Sequence, residues 1–298
     1  MSFFGLGRAV TVDLTHAAGE AQRVASVKSD RGNLETLPVF TDKETLAGHV
    51  HLSPAPGKQI DHLGVKIEVL GQTELYFDRG DAHDFVSLVR ELVNPGEFNG
   101  PLSVPFEFKS VSLPHESYRG INVRVRYVLR VTVSRGYGGT VVSDFPFLTR
   151  LVDEPPSVNT GIKMEVGIEE CLHIEFEFAN SKFHLRECIL GKVNFNLVRI
   201  KIKLMELSII RREVVGSGPN AVTENEILSK FELMDGAPVK GEVVPVRFYL
   251  ASVDQLTPSY KNVNNRFGTK YVLNLVLIDE EDRRYFKQQE IDLWRKQI

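Results

Sequence analysis

The residues of this chain that could do chemistry fall in a few short clusters. His49 and His51 are two apart, which on a strand puts both rings on one face and could begin a zinc site. Zinc needs further ligands, and His62 and His83 stand too far along the chain to be assigned, so a solvated strand face is the plainer reading. Asp279, Glu280, Glu281 and Asp282 could collect a divalent cation. They fall between an apolar run at 275–278 and Tyr285-Phe286, where a charged hairpin tip belongs. Gly136, Gly138 and Gly139 could cradle a phosphate only at the head of a helix. They follow a strand pattern instead, and predict a turn. Cys188, between Glu187 and Ile189 on a predicted strand, is a packed thiol before it is a nucleophile. The zinc-protease, nucleophile-elbow, phosphate-loop and Cys-x-x-Cys patterns are absent. No segment offers a convergent set of titrating groups, so the chain is expected to be no enzyme and to hold no cofactor or metal.

The elements that position these residues are strands. Val123, Val125, Tyr127, Leu129, Val131 and Val133 alternate with polar residues, as do Leu172, Ile174, Phe176 and Phe178, and Ile200, Ile202 and Leu204. A period of two sets one face on a core and the other in water. One stretch departs from it. In residues 84–94, Phe85, Leu88, Val89 and Leu92 follow helical spacing up to Pro95-Gly96, which predicts one short helix.

The chain also repeats itself. Phe40, Glu44, Leu46, Gly48 and Val50 are matched, 143 residues on, by Phe183, Glu187, Ile189, Gly191 and Val193. Ser117-Tyr118-Arg119 matches Ser259-Tyr260-Lys261, and Tyr127-Val128-Leu129 matches Tyr271-Val272-Leu273, at nearly the same offset. Three collinear matches indicate duplication. Consecutive prolines cannot continue a paired strand, so the join is placed at Pro155-Pro156. The expectation is two tandem antiparallel β-sandwiches, residues 1–155 and 156–298, with the helix in the first.

Composition sets the class of partner. With 36 basic and 39 acidic residues in 298, net charge −3, there is no global field for nucleic acid. Two cysteines, Cys171 and Cys188, make no disulfide framework and are expected to be free, and no signal-peptide pattern is present; the predicted compartment is the cytosol. Two features suggest contact surfaces. Arg199, Lys201 and Lys203 form a basic stripe that could meet acidic groups, or be an ordinary wet face. In Phe231-Glu232-Leu233-Met234, strict alternation cannot place both Leu233 and Met234 on the core face, and the turn Asp235-Gly236 follows. Core and interface readings of this pair both stand on the residues alone.

Three long blocks carry a resemblance: IKMEVGIEECLHIEFEF at 162–178, MDGAPVKGE at 234–242 and DEEDRRYFKQQE at 279–290. With Met1-Ser2-Phe3, Pro56-Gly57-Lys58, Ile67-Glu68 and Val123–Tyr127, they resemble the arrestin-fold subunit of retromer, the vacuolar protein sorting 26 family. The resemblance covers essentially the whole chain and is closer in the carboxyl half. It implies an all-β, arrestin-like fold and a peripheral coat that retrieves transmembrane cargo from the cytosolic face of endosomes. It implies that the loop at Leu233, Met234, Asp235 and Gly236 docks on a large helical-solenoid subunit. It implies that Val166 and Phe286 help form a pocket for cargo tails, which add as a strand beside a phox-homology sorting nexin, with membrane contact indirect. The competing reading is an arrestin-like adaptor acting on receptors outside retromer. That class often carries Pro-Pro-x-Tyr motifs, whereas the one Pro-Pro pair here is followed by Ser157-Val158.

Overall fold

The computed structural model describes residues 9–17, 23–28, 32–76, 82–168, 170–216, 218–263 and 266–296. Met1-Ser2-Phe3 and Glu169 therefore lie outside the described residues. The chain divides into two compact units, Met1–Leu151 and Val152–Ile298. The predicted join at Pro155-Pro156 lies in a strand-free stretch, residues 150–161, just past that division.

The first unit is built from β1 (Val10–His16), β2 (Val24–Lys28), β3 (Leu34–Phe40), β4 (Leu46–Pro54), β5 (Ile60–His62), β6 (Gly64–Leu75), β7 (Ala82–Val93), β8 (Gly96–Phe98), β9 (Leu102–Phe108), β10 (Tyr118–Arg119), β11 (Val123–Ser134) and β12 (Val141–Thr149). The second contains β13 (Ile162–Ile168), β14 (Leu172–Phe178), β15 (Lys182–His184), β16 (Cys188–Val198), β17 (Ile202–Val215), β18 (Val222–Asp235), β19 (Val243–Tyr249), β20 (Tyr260–Val263), β21 (Phe267–Asp279) and β22 (Arg284–Trp294). In the first unit the sheet β1-β4-β9 is joined by the sheet β2-β3-β12-β11-β6-β7. In the second, β13-β14-β16-β19 faces β15-β22-β21-β17-β18. The inward residues of alternating strands make each core: Phe40, Tyr127 and Phe147 in one, Phe176, Phe195, Phe248 and Tyr271 in the other, all nearly inaccessible to solvent.

The duplication extends to single hydrogen bonds. The Tyr127 hydroxyl donates to the His115 carbonyl at 2.7 Å, and the Tyr271 hydroxyl accepts from the Thr257 amide at 3.1 Å. Each buried phenol thus fastens the loop before its own strand. The Ser117 hydroxyl accepts the Thr149 amide while the Ser117 amide donates to the Thr149 carbonyl. Ser259 makes the same pair with Leu293. Glu44 accepts the Thr41 amide, and Glu187 the His184 amide. In both units the end of the closing strand, β12 or β22, makes a short stretch of parallel pairing, with β3 or β15.

The predicted helix at 84–94 is strand β7. Its register against β6 slips twice, leaving Phe85 and Leu92 as extra, bulged residues. Each bulge inserts one residue and shifts the period-two phase. Phe85 and Leu92 therefore turn inward, and the sum of two phases imitates helical spacing. Leu88 and Val89, which a helix would have buried, are exposed. Phe85 packs edge-on against Tyr127, with ring centroids 5.5 Å apart, in space left by Gly71. Among the described residues, helix is confined to two short turns, Gly218–Asn220 and Leu250–Ser252, both in the second unit.

Gly48 and Gly191, matched in the repeat, are required by close approach. A Cβ at Gly48 would collide with the Thr15 carbonyl and the Phe106 ring; at Gly191 it would collide with the Glu177 carbonyl and the Phe178 ring. Gly48→Ala and Gly191→Ala are each expected to cost about 1–3 kcal/mol, as overpacked core positions do. Gly100, with nothing near its absent Cβ, should tolerate alanine within about 0.5 kcal/mol. Urea-denaturation midpoints of the three variants check this.

Candidate functional site

A sandwich of two open sheets has edge strands whose outer backbone groups lack a ladder partner. In the second unit those edges meet in pairs. β18 runs beside β19 at one rim, and β13 runs beside β22 at the other. The residues singled out from the sequence lie on these rims.

At the first rim, among the described residues, β18 pairs with β17 only, and Phe231 packs edge-on against Phe248 of β19, with centroids 4.6 Å apart. Met205 lies opposite Met234 and Glu206 opposite Glu232, so Leu233 is the extra residue of a bulge. The bulge lifts the restriction that alternation imposes. Leu233 and Met234 are both half-buried and both pack against the core. Asp235 and Gly236 are exposed; Gly236, with φ +109°, turns the chain and donates its amide to the Lys203 carbonyl. The turn is closed by Glu242, which accepts the Val239 amide at 2.9 Å. It presents Val239, 67% exposed, as its apolar tip. Sequence reasoning passed over Val239, although a valine set between Pro238 and Lys240 in a turn has no strand face on which to hide.

At the second rim, Val166 lies on β13 opposite Ile174, half-buried against the core. Phe286 lies on β22 opposite Val276 and points outward, 65% exposed, while its neighbour Tyr285 packs inward. The two residues flank one rim but turn to different sides of it. Among the described residues β13 pairs with β14 alone. β15 covers only Asp292–Trp294 of β22, so residues 284–291 form a second open edge.

The hairpin that aims Phe286 is fastened by Asp279, which is 2% exposed. Its carboxylate accepts the amides of Glu281 and Arg283, the Arg283 guanidinium at 2.7 Å and the Tyr285 hydroxyl at 2.9 Å. The neighbouring acids face the basic stripe: Lys201 pairs with Glu280 at 3.6 Å and Lys203 with Asp282 at 3.0 Å. Lys201 and Lys203 of the stripe are thereby matched by two acids of the tip, while Asp279 and Glu281 are matched by Arg283.

The other chemical candidates stay plain. His49 and His51 stack 6.3 Å apart, and no cluster of three or more His, Cys, Asp or Glu that could hold a metal occurs among the described residues. Cys171 and Cys188 are free thiols. Gly138 and Gly139, both at positive φ, form the β11–β12 turn. No helix among the described residues is long and apolar enough to cross a membrane.

The sequence matches the family model "Vacuolar protein sorting-associated protein 26" over residues 6–282. The chain belongs to the vacuolar protein sorting-associated protein 26 family. It is 53% identical to the family's 26B protein of Arabidopsis thaliana, across 96% of this chain and 94% of that one. It is 52% identical to 26B-A of Xenopus laevis and 50% identical to 26B of Homo sapiens, each across 99% of this chain and 88% of the relative. The all-β architecture of this vacuolar protein sorting-associated 26 chain is arrestin-like, as the resemblance implied; the helix that residue spacing alone predicted at 84–94 is strand β7.

Asp279 sets a pH dependence. Burial pushes its carboxyl up, but the hydrogen bonds from Arg283 and Tyr285 outweigh that and hold it down at about 2, against an ordinary 3.8. A depressed folded value means the stabilisation is complete above about pH 4 and is lost as pH falls towards 2. Melting temperatures of the parent chain and Asp279→Asn should therefore differ most above pH 4 and converge as pH approaches 2.

Proposed function

We propose that this chain is a non-catalytic adaptor subunit of a retromer coat, working through the two rims of its second unit. The turn at Leu233, Met234, Asp235 and Gly236 docks on the large helical-solenoid subunit. The open edges of β13 and β22, flanked by Val166 and Phe286, receive a transmembrane cargo tail as an added strand, beside a phox-homology sorting nexin. The protein acts as a peripheral component on the cytosolic face of endosomes, with membrane contact made by its partners. The single observation that supports this reading is that Leu233 and Met234 lie on one rim of the sandwich and Val166 and Phe286 on the opposite one. A rigid two-sheet body can hold a scaffold on one side and cargo on the other without either partner displacing the other.

Each rim supports its assigned mode for a physical reason. Unpaired N–H and C=O groups along β13 and β22 can extend a sheet by main-chain bonds, and exposed Phe286 offers an apolar contact for alternate side chains. At the opposite rim, half-buried Leu233 and Met234 form a firm floor and Val239 projects from it, a shape suited to a groove between helices.

Titration with the purified solenoid subunit tests the first assignment. The double variant Leu233→Asp/Met234→Asn is expected to lose affinity by about 30-fold or more, because it removes two anchors and brings a charge into an apolar contact. Both side chains also touch the core, so unfolding free energy should fall by about 1–3 kcal/mol. Asp235→Lys, at an exposed position, separates the effects: it should weaken the solenoid complex with no change in melting temperature. Unchanged affinity in both variants refutes the docking site.

A cargo-tail peptide with the sorting nexin tests the second assignment. Phe286→Glu should weaken that ternary complex by about tenfold or more. It should leave solenoid affinity and thermal stability as they were, since the ring is exposed. Parallel loss of both kinds of binding would instead mark Phe286 as a residue on which folding depends.

A further inference from the structure

Asn-Gly, Asn-Ser and Asp-Gly are the dipeptides that cyclise most readily through their own backbone. Each occurs once in this chain, as Asn99-Gly100, Asn180-Ser181 and Asp235-Gly236. In the reaction the amide nitrogen of the second residue attacks the side-chain carbonyl carbon of the first, closing a succinimide ring. From asparagine, the side-chain nitrogen departs as ammonia and carries away the proton lost by the attacking amide. Water then opens the ring at either carbonyl, leaving aspartate or isoaspartate. Two conditions govern the rate: the attacking amide must be free of hydrogen bonds, and the second residue must leave room to turn.

The structure separates the three pairs. The Ser181 amide donates to the Asn159 side-chain oxygen at 3.0 Å. The Gly236 amide donates to the Lys203 carbonyl at 2.9 Å. Both nitrogens are engaged, and each would have to break a hydrogen bond before it could attack. Gly100 lies in the link between β8 and β9, outside both ladders, and among the described residues its amide has no hydrogen-bond partner. Asn99 is exposed, and a Cβ placed on Gly100 would meet nothing within 4 Å. Both conditions are therefore met at Asn99 and at neither of the other two.

We propose that Asn99 is a site of spontaneous deamidation in the folded protein, and that its isoaspartyl product accepts a methyl group from S-adenosylmethionine. In the second step the methyl passes from the sulfonium sulfur to a carboxylate oxygen of isoaspartate, and S-adenosylhomocysteine leaves. Either deamidation product places a carboxylate at an exposed position where the chain was made with a neutral amide. The isoaspartyl form also routes the main chain through the side chain and adds one carbon to the link. That link is tied at both ends, because Phe98 pairs with Ile60 and Leu102 with Leu52. Phe98 packs on His62 with ring centroids 5.6 Å apart, and Ile60 and His62 are buried. The added length therefore loosens β8 on β5, where amide hydrogen exchange should quicken with age.

The test ages the full chain at neutral pH and physiological temperature. The tryptic peptide that follows Arg90 and ends at Lys109 is then read by mass spectrometry, with electron-transfer fragmentation to tell isoaspartate from aspartate. Asn94 lies in the same peptide and is its internal control, since the nitrogen of Pro95 has no hydrogen to lose. Deamidation is expected at Asn99, with Asn94, Asn180 and Asp235 unchanged. A purified isoaspartyl methyltransferase with labelled S-adenosylmethionine should label that peptide in the aged chain and not in the fresh one. Gly100→Ala is expected to slow the reaction about tenfold or more, because a methyl group hinders the attacking nitrogen, with the melting temperature unchanged. In urea, where the hydrogen bonds to Ser181 and Gly236 are lost, Asn180 and Asp235 should begin to react. Asn99 intact in the folded chain but reactive in urea overturns the proposal. So does a Gly100→Ala chain that reacts at the parent's rate, or an Asn180 that reacts as fast as Asn99 in the folded protein. Deamidation at Asn99 without methyl labelling overturns the second step.

Discussion

The backbone of a sandwich can satisfy itself everywhere except along its outermost strands. In the second unit that constraint decides where recognition happens. Among the described residues β14, β16, β17 and β21 have ladder partners on both sides; β13, β18, β19 and most of β22 do not. The two sheets bring their edges together in pairs, so what remains unpaired is gathered into two rims instead of being scattered over the surface. The proposed scaffold and cargo sites occupy these rims.

Edges also have to be made safe, and the protein does this with bulges. β7 carries two, at Phe85 and Leu92; β18, its counterpart in the second copy, carries two, with Leu228 and Leu233 as the extra residues. A bulge twists an edge out of the geometry that invites another strand, and it re-aims side chains. In β7 the re-aimed Phe85 closes the core over Tyr127. In β18 the re-aimed Leu233 packs against the core beside Met234. One device inherited by both copies thus serves packing in the first and, on the present reading, recognition in the second.

Duplication then makes the chain its own reference. Features shared by both units are those the fold requires: the buried tyrosines, the serine clamps on β12 and β22, the glycines under crossing backbone. Features present once are free to serve something else.

The strand content, the twofold repeat and the hairpin tips at 136–139 and 279–282 were legible in the sequence, because alternation and turn residues are local. The family was legible too, in blocks such as 234–242. Two readings went astray at the same kind of place. The helix at 84–94 and the forced exposure at 233–234 both assumed an unbroken period, whereas a bulge is set by the partner strand's register, tens of residues away. Val239 was missed because its exposure depends on how the turn closes through Glu242. That Lys201 and Lys203 meet Glu280 and Asp282 could be decided only by pairing strands distant in the chain. Local chemistry determined which residues alternate, turn and repeat; long-range register decided which faces those residues occupy, because a shift of one residue in a ladder moves a side chain to the opposite side of the sheet.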